Sequence, residues 1–269
     1  MRRILVFLLA CGQLLAGYDV LVQAAIEPEM KPLLAALDDA KQVRIGAWTF
    51  WTGRMTGKNG VKSVVVSRTE MGPINAAAAT ALGIQMFQPG VVINEGTAGA
   101  SNPDLRLWDI LLGERTTDYG AFVSDHGNAG TGTNPARWKP LLHSLRLDKE
   151  LVKFPGFPGD PGLMEAALKV KYERGRVRKA NIGSAYQYNR EIDRIEWLRK
   201  TYGIDSEDME SAFAAGVATG MKVRFLAIRI ISDSEWNHPK FEPATADACA
   251  QFVIELIKAW PGQLSVARR

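Results

Sequence analysis

Three carboxylates stand where a chain of this kind could use them for chemistry. Asp233 closes the apolar, β-branched run "IRIISD". A carboxylate at the end of a buried strand needs something to hold it. Glu29 follows a first buried-strand pattern, "DVLVQAAI", and Glu210 stands in "DMES" at the head of a helical pattern of small residues. Each has a plain structural alternative. Glu29 and Glu210 could complement the dipole at helix N-termini, and Asp233 could cap a helix or end a turn. Their joint placement at strand ends argues for more, because open α/β sheets bind ligands beyond the carboxyl ends of their strands. The same reasoning marks Glu27, Arg68, Glu95–Gly99, Ser184 and Ser232.

The elements that must position these groups alternate along the chain. After the first strand, Glu27-Pro28-Glu29 reads as a turn before the helical pattern "MKPLLAALDDA". "VRIGAWTFWTGRM" and "VKSVVVSRT" read as two strands joined by a hairpin turn at Lys58-Asn59-Gly60. "GPINAAAATALGI" reads as a helix able to lie close against a sheet. The strand Val91–Asn94 is expected to open into a loop at Gly96-Thr97-Ala98-Gly99, where backbone turns or approaches a ligand. "LRLWDILLGERTTD" reads as a bent strand or strand pair. Tyr119–Gly162, rich in Gly, Pro, Asn and Asp, reads as a long loop. Then come a helix at "LMEAALKVKYERG", a strand at "VRKANIGSA" and an amphipathic helix stopped by Gly203. A small-residue helix, the long strand "KVRFLAIRIISD" and a closing helix over "PATADACAQFVIELIKAW" complete the order. The alternation predicts a single-domain α/β/α three-layer fold around a mixed sheet.

Composition excludes several classes. The chain has 269 residues, 46% hydrophobic and 23% charged, with 33 Lys+Arg against 29 Asp+Glu for a net charge of +4. Arg2, Arg3, Arg268 and Arg269 sit at the ends, and no basic run interleaved with aromatics occurs, so nucleic-acid binding is not expected. "MRRILVFLLACGQLLAGYD" has two arginines before a short apolar run, the shape of an export signal. Residues 1–17 are expected to be removed and residues 18–269 to form the domain, exported to the periplasm or secreted. The run is too short for a stable membrane span. Leu8-Leu9-Ala10-Cys11 is a poor match to a lipoprotein box, which makes a lipid anchor at Cys11 the lesser reading. The only other cysteine, Cys249, reads as a core residue. His126, His143 and His238 lack metal-ligand spacing, so neither a metal nor another cofactor is expected.

"INEGTAGAS", "DMESAFAAGVA" and "IRIISDSE", in this order and spacing, resemble the nucleoside phosphorylase superfamily. The match is nearest to its methylthioadenosine/S-adenosylhomocysteine nucleosidase branch. The resemblance covers roughly Val20–Gly113 and Ala180–Trp260. It implies that Asp233 is the general acid giving a proton to purine N7, with Ser232 as its motif partner. It implies that Glu210 binds the ribose hydroxyls and that Met209 packs on the ribose. Glu29 would activate water, with Arg229 and Thr69 where the family positions that water or an anion. Gly99 belongs to the Gly-rich loop, and Tyr188 falls near the residue that stacks on the base. The implied ligand is a purine nucleoside and the implied assembly a homodimer, with Trp48, Trp51 and Phe122 as exposed-looking aromatics.

The same fold runs hydrolysis and phosphorolysis. Phosphorolysis needs an anion pocket of backbone amides and arginines. Here Glu95 replaces the arginine that phosphorylases carry before the Gly-rich loop, and a carboxylate facing phosphate would repel it. Hydrolysis is therefore favoured, although Arg68 and Arg229 remain as candidate phosphate ligands. A non-catalytic exported nucleoside-binding or storage protein is the third reading. It would need Glu210 and Tyr188 but not Glu29 and Asp233 together. Several departures from the branch leave the 5′ substituent open. Ala24-Ala25-Ile26 replaces Gly-Ala-Met, Thr69-Glu70-Met71-Gly72 replaces a Gly-rich segment, and Pro28 leaves Glu27 a rival to Glu29.

Overall fold

The structure, a computed structural model, describes residues 17–261. The expected export signal, Cys11 included, lies outside the described residues except for Gly17. Strand β1 (Val20–Ala24) is buried at every position and pairs in parallel with two neighbours. Such a strand reads as a continuous apolar run because both faces are covered. Helix α1 (Glu27–Ala35) begins at the acidic segment itself. Pro28 falls in its first turn, where a missing N–H costs nothing, so the expected turn at Glu27-Pro28-Glu29 is instead the start of the helix.

The segment expected as one strand around Trp48 is two. Gly46, at φ +60°, turns the chain between β2 (Asp38–Ile45) and β3 (Trp48–Gly57), and β4 (Gly60–Arg68) completes an antiparallel meander. Helix α2 (Pro73–Phe87) follows. Strand β5 (Val91–Ala100) corrects the expected loop: Gly96–Gly99 stays in the sheet. Next come β6 (Ile110–Asp118), β7 (Phe122–Val123), β8 (Lys139–Pro140), β9 (His143–Leu147), β10 (Glu150–Phe154) and β11 (Phe157–Pro158). The expected long loop thus contains two small antiparallel ribbons, β7 with β8 and β9 with β10. Phe122 stacks on Trp138 at 4.0 Å, and His143 Nε2 lies 2.8 Å from Asp118 Oδ2. The chain closes with α3 (Pro161–Ala167), β12 (Val177–Ser184), α4 (Ile192–Tyr202), β13 (Ser206–Asp208), α5 (Ser211–Gly220), β14 (Arg224–Asp233) and α6 (Ala244–Ala259).

Ten strands form one mixed sheet in the order β11-β6-β12-β13-β5-β1-β4-β3-β2, with β14 pairing β5 and β6. One face carries α1, α3 and α6, where Leu33, Leu163, Phe252, Val253 and Leu256 pack on Val20, Val22 and Ile93. The other carries α2 and α5, whose Ile84, Ala214, Ala215 and Ala218 pack on Leu21, Val92 and Ala227. Each fully buried aliphatic side chain of this kind contributes about 1.5–3 kcal/mol by leaving water. The result is the expected three-layer α/β/α arrangement. Among the described residues no helix is long and apolar enough to cross a membrane. Trp48 and Trp51 are half-buried against the core rather than displayed, contrary to expectation.

Candidate active site

Glu29 is the third residue of α1, and its side chain folds back over the helix start. Oε2 accepts from the Ala25 and Ile26 amides at 3.0 and 3.2 Å. Oε1 accepts from the Thr97 amide at 2.9 Å and the Thr97 hydroxyl at 3.2 Å. The carboxylate is 3% exposed, and these four donors replace the water it loses. It is thereby tied to both β1 and β5. Glu27 is exposed and takes no part in this arrangement.

Glu210 stands just ahead of α5. Oε1 accepts from the Gly72 amide at 2.8 Å and Oε2 from the Met209 amide at 3.3 Å. Gly72 adopts φ +98°, a conformation that brings its N–H to the carboxylate and that side-chain-bearing residues rarely take. Burial pushes the Glu210 carboxyl up to about 7, helped by the Asp208 charge and opposed by Arg229.

Asp233 ends β14. The ladder between β14 and β5 shifts register between Ile231 and Asp233, leaving Ser232 as the extra residue opposite Ala98 and Gly99. Such a bulge re-aims the side chains beside it. The Ser232 hydroxyl lies 2.7 Å from Asp233 Oδ1 and 3.3 Å from the Ala98 carbonyl. Burial raises the Asp233 carboxyl above its ordinary value, the Ser232 hydrogen bond opposes this, and the Glu235 charge adds to it.

These groups meet. Glu29, Gly99, Tyr188, Met209, Glu210, Ser232 and Asp233 line one cavity of about 300 Å³. Tyr188 stands at its mouth, 59% exposed. Thr69 and Arg229 do not line it. The Thr69 hydroxyl, fully buried, is within reach of the Glu70 and Ala24 carbonyls at 3.0 and 3.3 Å. The Arg229 guanidinium pairs with Asp208 at 2.6 Å, donates to Asn94 and lies 3.9 Å from Glu210. Arg68, the other candidate phosphate ligand, pairs with Glu70 at 2.8 Å.

Glu95 also departs from expectation. It shares the strand face of Val91 and Ile93, beneath α6, and does not line the cavity. Neither oxygen has a hydrogen-bond partner. Burial first, then the Glu29 charge, raises its carboxyl well above the ordinary range, opposed by Cys249 and Arg229. Standing outside the cavity lining, it does not face a phosphate there as expected. The cavity wall itself presents five carboxyls, Glu29, Glu207, Asp208, Glu210 and Asp233. Among its described lining residues there is no Arg, Lys or His.

Sequence reasoning missed Thr97, Asp208 and Glu207. Thr97 lay inside the quoted Gly-rich motif, but its tie to Glu29 is seen only once β5 runs on as a strand. Asp208 accepts from the Ser184 hydroxyl at 2.5 Å, from the Glu210 and Ser211 amides at 3.1 and 3.2 Å, and from Arg229. It fixes the turn that delivers Met209 and Glu210. A wider cleft of about 460 Å³ beside Tyr18, Asp39, Arg54 and Ser63 has no such convergence of buried groups, since Asp39 and Arg54 pair at its exposed surface.

Known proteins share this arrangement of chain. A 5'-methylthioadenosine/S-adenosylhomocysteine nucleosidase of Tolumonas auensis is 27% identical over 213 residues, 78% of this chain and 83% of the relative. One of Bacillus velezensis is 26% identical over 247 residues, 88% of this chain and 97% of the relative. The crystal structure of such a nucleosidase from Neisseria meningitidis, in complex with methylthio-immucillin-A, superposes with a TM-score of 0.73 at 26% identity. It covers 90% of this chain and 99% of that one. The sequence model of the Phosphorylase superfamily matches residues 19–258, and the chain belongs to that superfamily.

Proposed function

We propose that the chain is a purine nucleosidase. It hydrolyses the N-glycosidic bond of an adenosine-type nucleoside (adenosine, 5′-methylthioadenosine or S-adenosylhomocysteine) to the free base and ribose or its 5′-substituted form. Asp233, protonated, gives its proton to purine N7 as the C1′–N9 bond breaks, so the base leaves neutral. Glu210 accepts hydrogen bonds from the 2′ and 3′ hydroxyls and favours positive charge developing on the sugar. Glu29 takes the proton of the water whose oxygen bonds to C1′. Met209 packs on the ribose, and Tyr188 covers the base at the mouth. Ile26, Met71 and Phe241 add apolar wall suited to an alkylthio 5′ group.

The observation that carries this reading is the absence of a cation from the described lining of the cavity. Phosphate needs arginines or clustered amides to hold it, and the described lining residues include no Arg, Lys or His, which suits water as the nucleophile. Arg68 and Arg229 are already paired with Glu70 and Asp208. The test is base release from adenosine and 5′-methylthioadenosine, followed by chromatography with and without phosphate. Release without phosphate is expected. Release only with phosphate makes the chain a phosphorylase, and tight binding with no release makes it a binding protein.

We further propose a homodimer whose contact includes Met71, Ile74 and Tyr186, which are 56%, 80% and 72% exposed beside the cavity. A monomer mass in sedimentation equilibrium would refute it. Export, proposed from the arginines and apolar run before Gly17, predicts that mature protein recovered outside the cytoplasm begins close to Tyr18. N-terminal sequencing reads this directly.

A further inference from the structure

Two carboxyls in the cavity take no part in the mechanism above, and of these Asp208 is committed to Arg229, which leaves Glu207. Glu207, on β13, lines the cavity and is 9% exposed. Its Oε2 accepts from the Tyr119 hydroxyl at 3.1 Å and the Asn189 side-chain amide at 2.6 Å. Its Oε1 has one long contact, the Asn189 backbone amide at 3.3 Å. One oxygen is anchored and the other keeps hydrogen-bonding capacity to spare. Glu207 and Asp233 flank the same glycine. A Cβ built on Gly99 would stand 3.2 Å from Asp233 Oδ2 and 3.7 Å from Glu207 Cγ.

A flat base that met Asp233 through N7, with its six-membered ring toward the Glu207 side of Gly99, would bring that ring within reach of Glu207. This step rests on the nucleosidase reading. Position N1 differs between purine classes: in adenine it accepts a hydrogen bond, and in 6-oxopurines it carries a hydrogen and donates one. We propose that Glu207 is a specificity-determining residue that hydrogen-bonds N1 of the base, and that the site takes 6-oxopurine nucleosides as well as adenosine-type ones. The neutral carboxyl donates from Oε1 to adenine N1. The carboxylate accepts at Oε1 from the N1–H of a 6-oxopurine. The titratable groups facing Glu207 are Tyr119 beyond β6, Asp233 on β14 and Tyr188 between β12 and α4. Burial first, then the Asp233 charge, raises the Glu207 carboxyl, while Asn189 and Tyr119 oppose the rise.

The experiment is the ratio of kcat/KM for inosine to that for adenosine, followed with pH. Because Asp233 serves both substrates, its own titration cancels. The ratio is expected to rise about tenfold or more as pH rises through the ionisation of Glu207, above the ordinary glutamate range. In Glu207→Gln, whose amide does not titrate, it is expected to stay flat. A flat wild-type ratio, or a rise that persists in Glu207→Gln, overturns the proposal. If the variant does not fold, the wild-type profile decides. If no nucleoside is cleaved at all, the nucleosidase reading fails while this one is still decided by calorimetry with free bases. Hypoxanthine must then gain affinity relative to adenine as pH rises, and an unchanged relative affinity overturns it.

Discussion

The Arg229 guanidinium lies 2.6 Å from the Asp208 carboxylate, with the two side chains only 2% and 1% exposed. This pair makes scaffold of the cation that sequence reasoning had offered to a water or an anion. Removing one member of a buried pair strands the other. Arg229→Leu is therefore expected to lose about 3–5 kcal/mol of folding stability in denaturant titration. A loss below about 1 kcal/mol would show that the pair contributes little.

With Arg229 committed and carboxyls around the cavity, inorganic phosphate should find no seat. Adding it at millimolar levels is expected to leave the rate of base release unchanged within about twofold, apart from ionic-strength effects that chloride reproduces. Phosphate-specific acceleration, with a sugar phosphate as product, would contradict this.

Asp233→Asn retains shape but cannot protonate N7. Its kcat should fall by about 10²- to 10⁴-fold with the melting temperature nearly unchanged. Because burial raises the Asp233 carboxyl, the wild type should keep its acid form above the ordinary aspartate range and lose activity as rising pH removes that proton. A variant with full turnover on adenosine would remove Asp233 from the chemistry.

Glu29→Gln should slow hydrolysis by about 10²-fold or more while ligand affinity changes little. Glu27→Gln, at an exposed site on the same helix, should have wild-type rates. The opposite pattern in this pair would transfer the base's role to Glu27.

Glu210 links pH to stability. Its carboxyl stands at about 7 in the folded protein against an ordinary 4.5. The folded state thus holds the proton more tightly than the unfolded chain. That advantage is complete below about 4.5 and is lost as pH rises through about 7. Glu210→Gln should accordingly be more stable than wild type at about pH 8, by on the order of 2–3 kcal/mol, yet bind ribose poorly. Thermal unfolding of both proteins across pH reads this, and parallel profiles would exclude it.

The layers and most helices were legible because they rest on local pattern: alternating apolar runs, small-residue helices, Gly203 as a stop. Asp233, Glu210 and Glu29 were legible as members of short motifs. The rest depends on partners distant in the chain. Thr97 meets Glu29 across 68 residues and Tyr119 meets Glu207 across 88, and neither distance leaves a mark on a local window. Glu95 lies away from its expected place because the Gly-rich segment is strand and not loop. Once β5 runs through it, strand alternation turns Glu95 with Val91 and Ile93 toward α6. Tyr119–Gly162 hid β7 and β8 because two-residue strands do not reach a readable period, and it hid the five-residue β9 and β10 because they are flanked by Gly- and Pro-rich stretches.

The irregular pairing at Ser232 has a last consequence. Side chains alternate along a strand, so one surplus residue decides which surface of the sheet Asp233 serves. A chain lacking Ser232 would lose both the surplus residue and the hydroxyl that stands 2.7 Å from Asp233 Oδ1. The activity of this protein hangs on a count of residues as much as on their kinds.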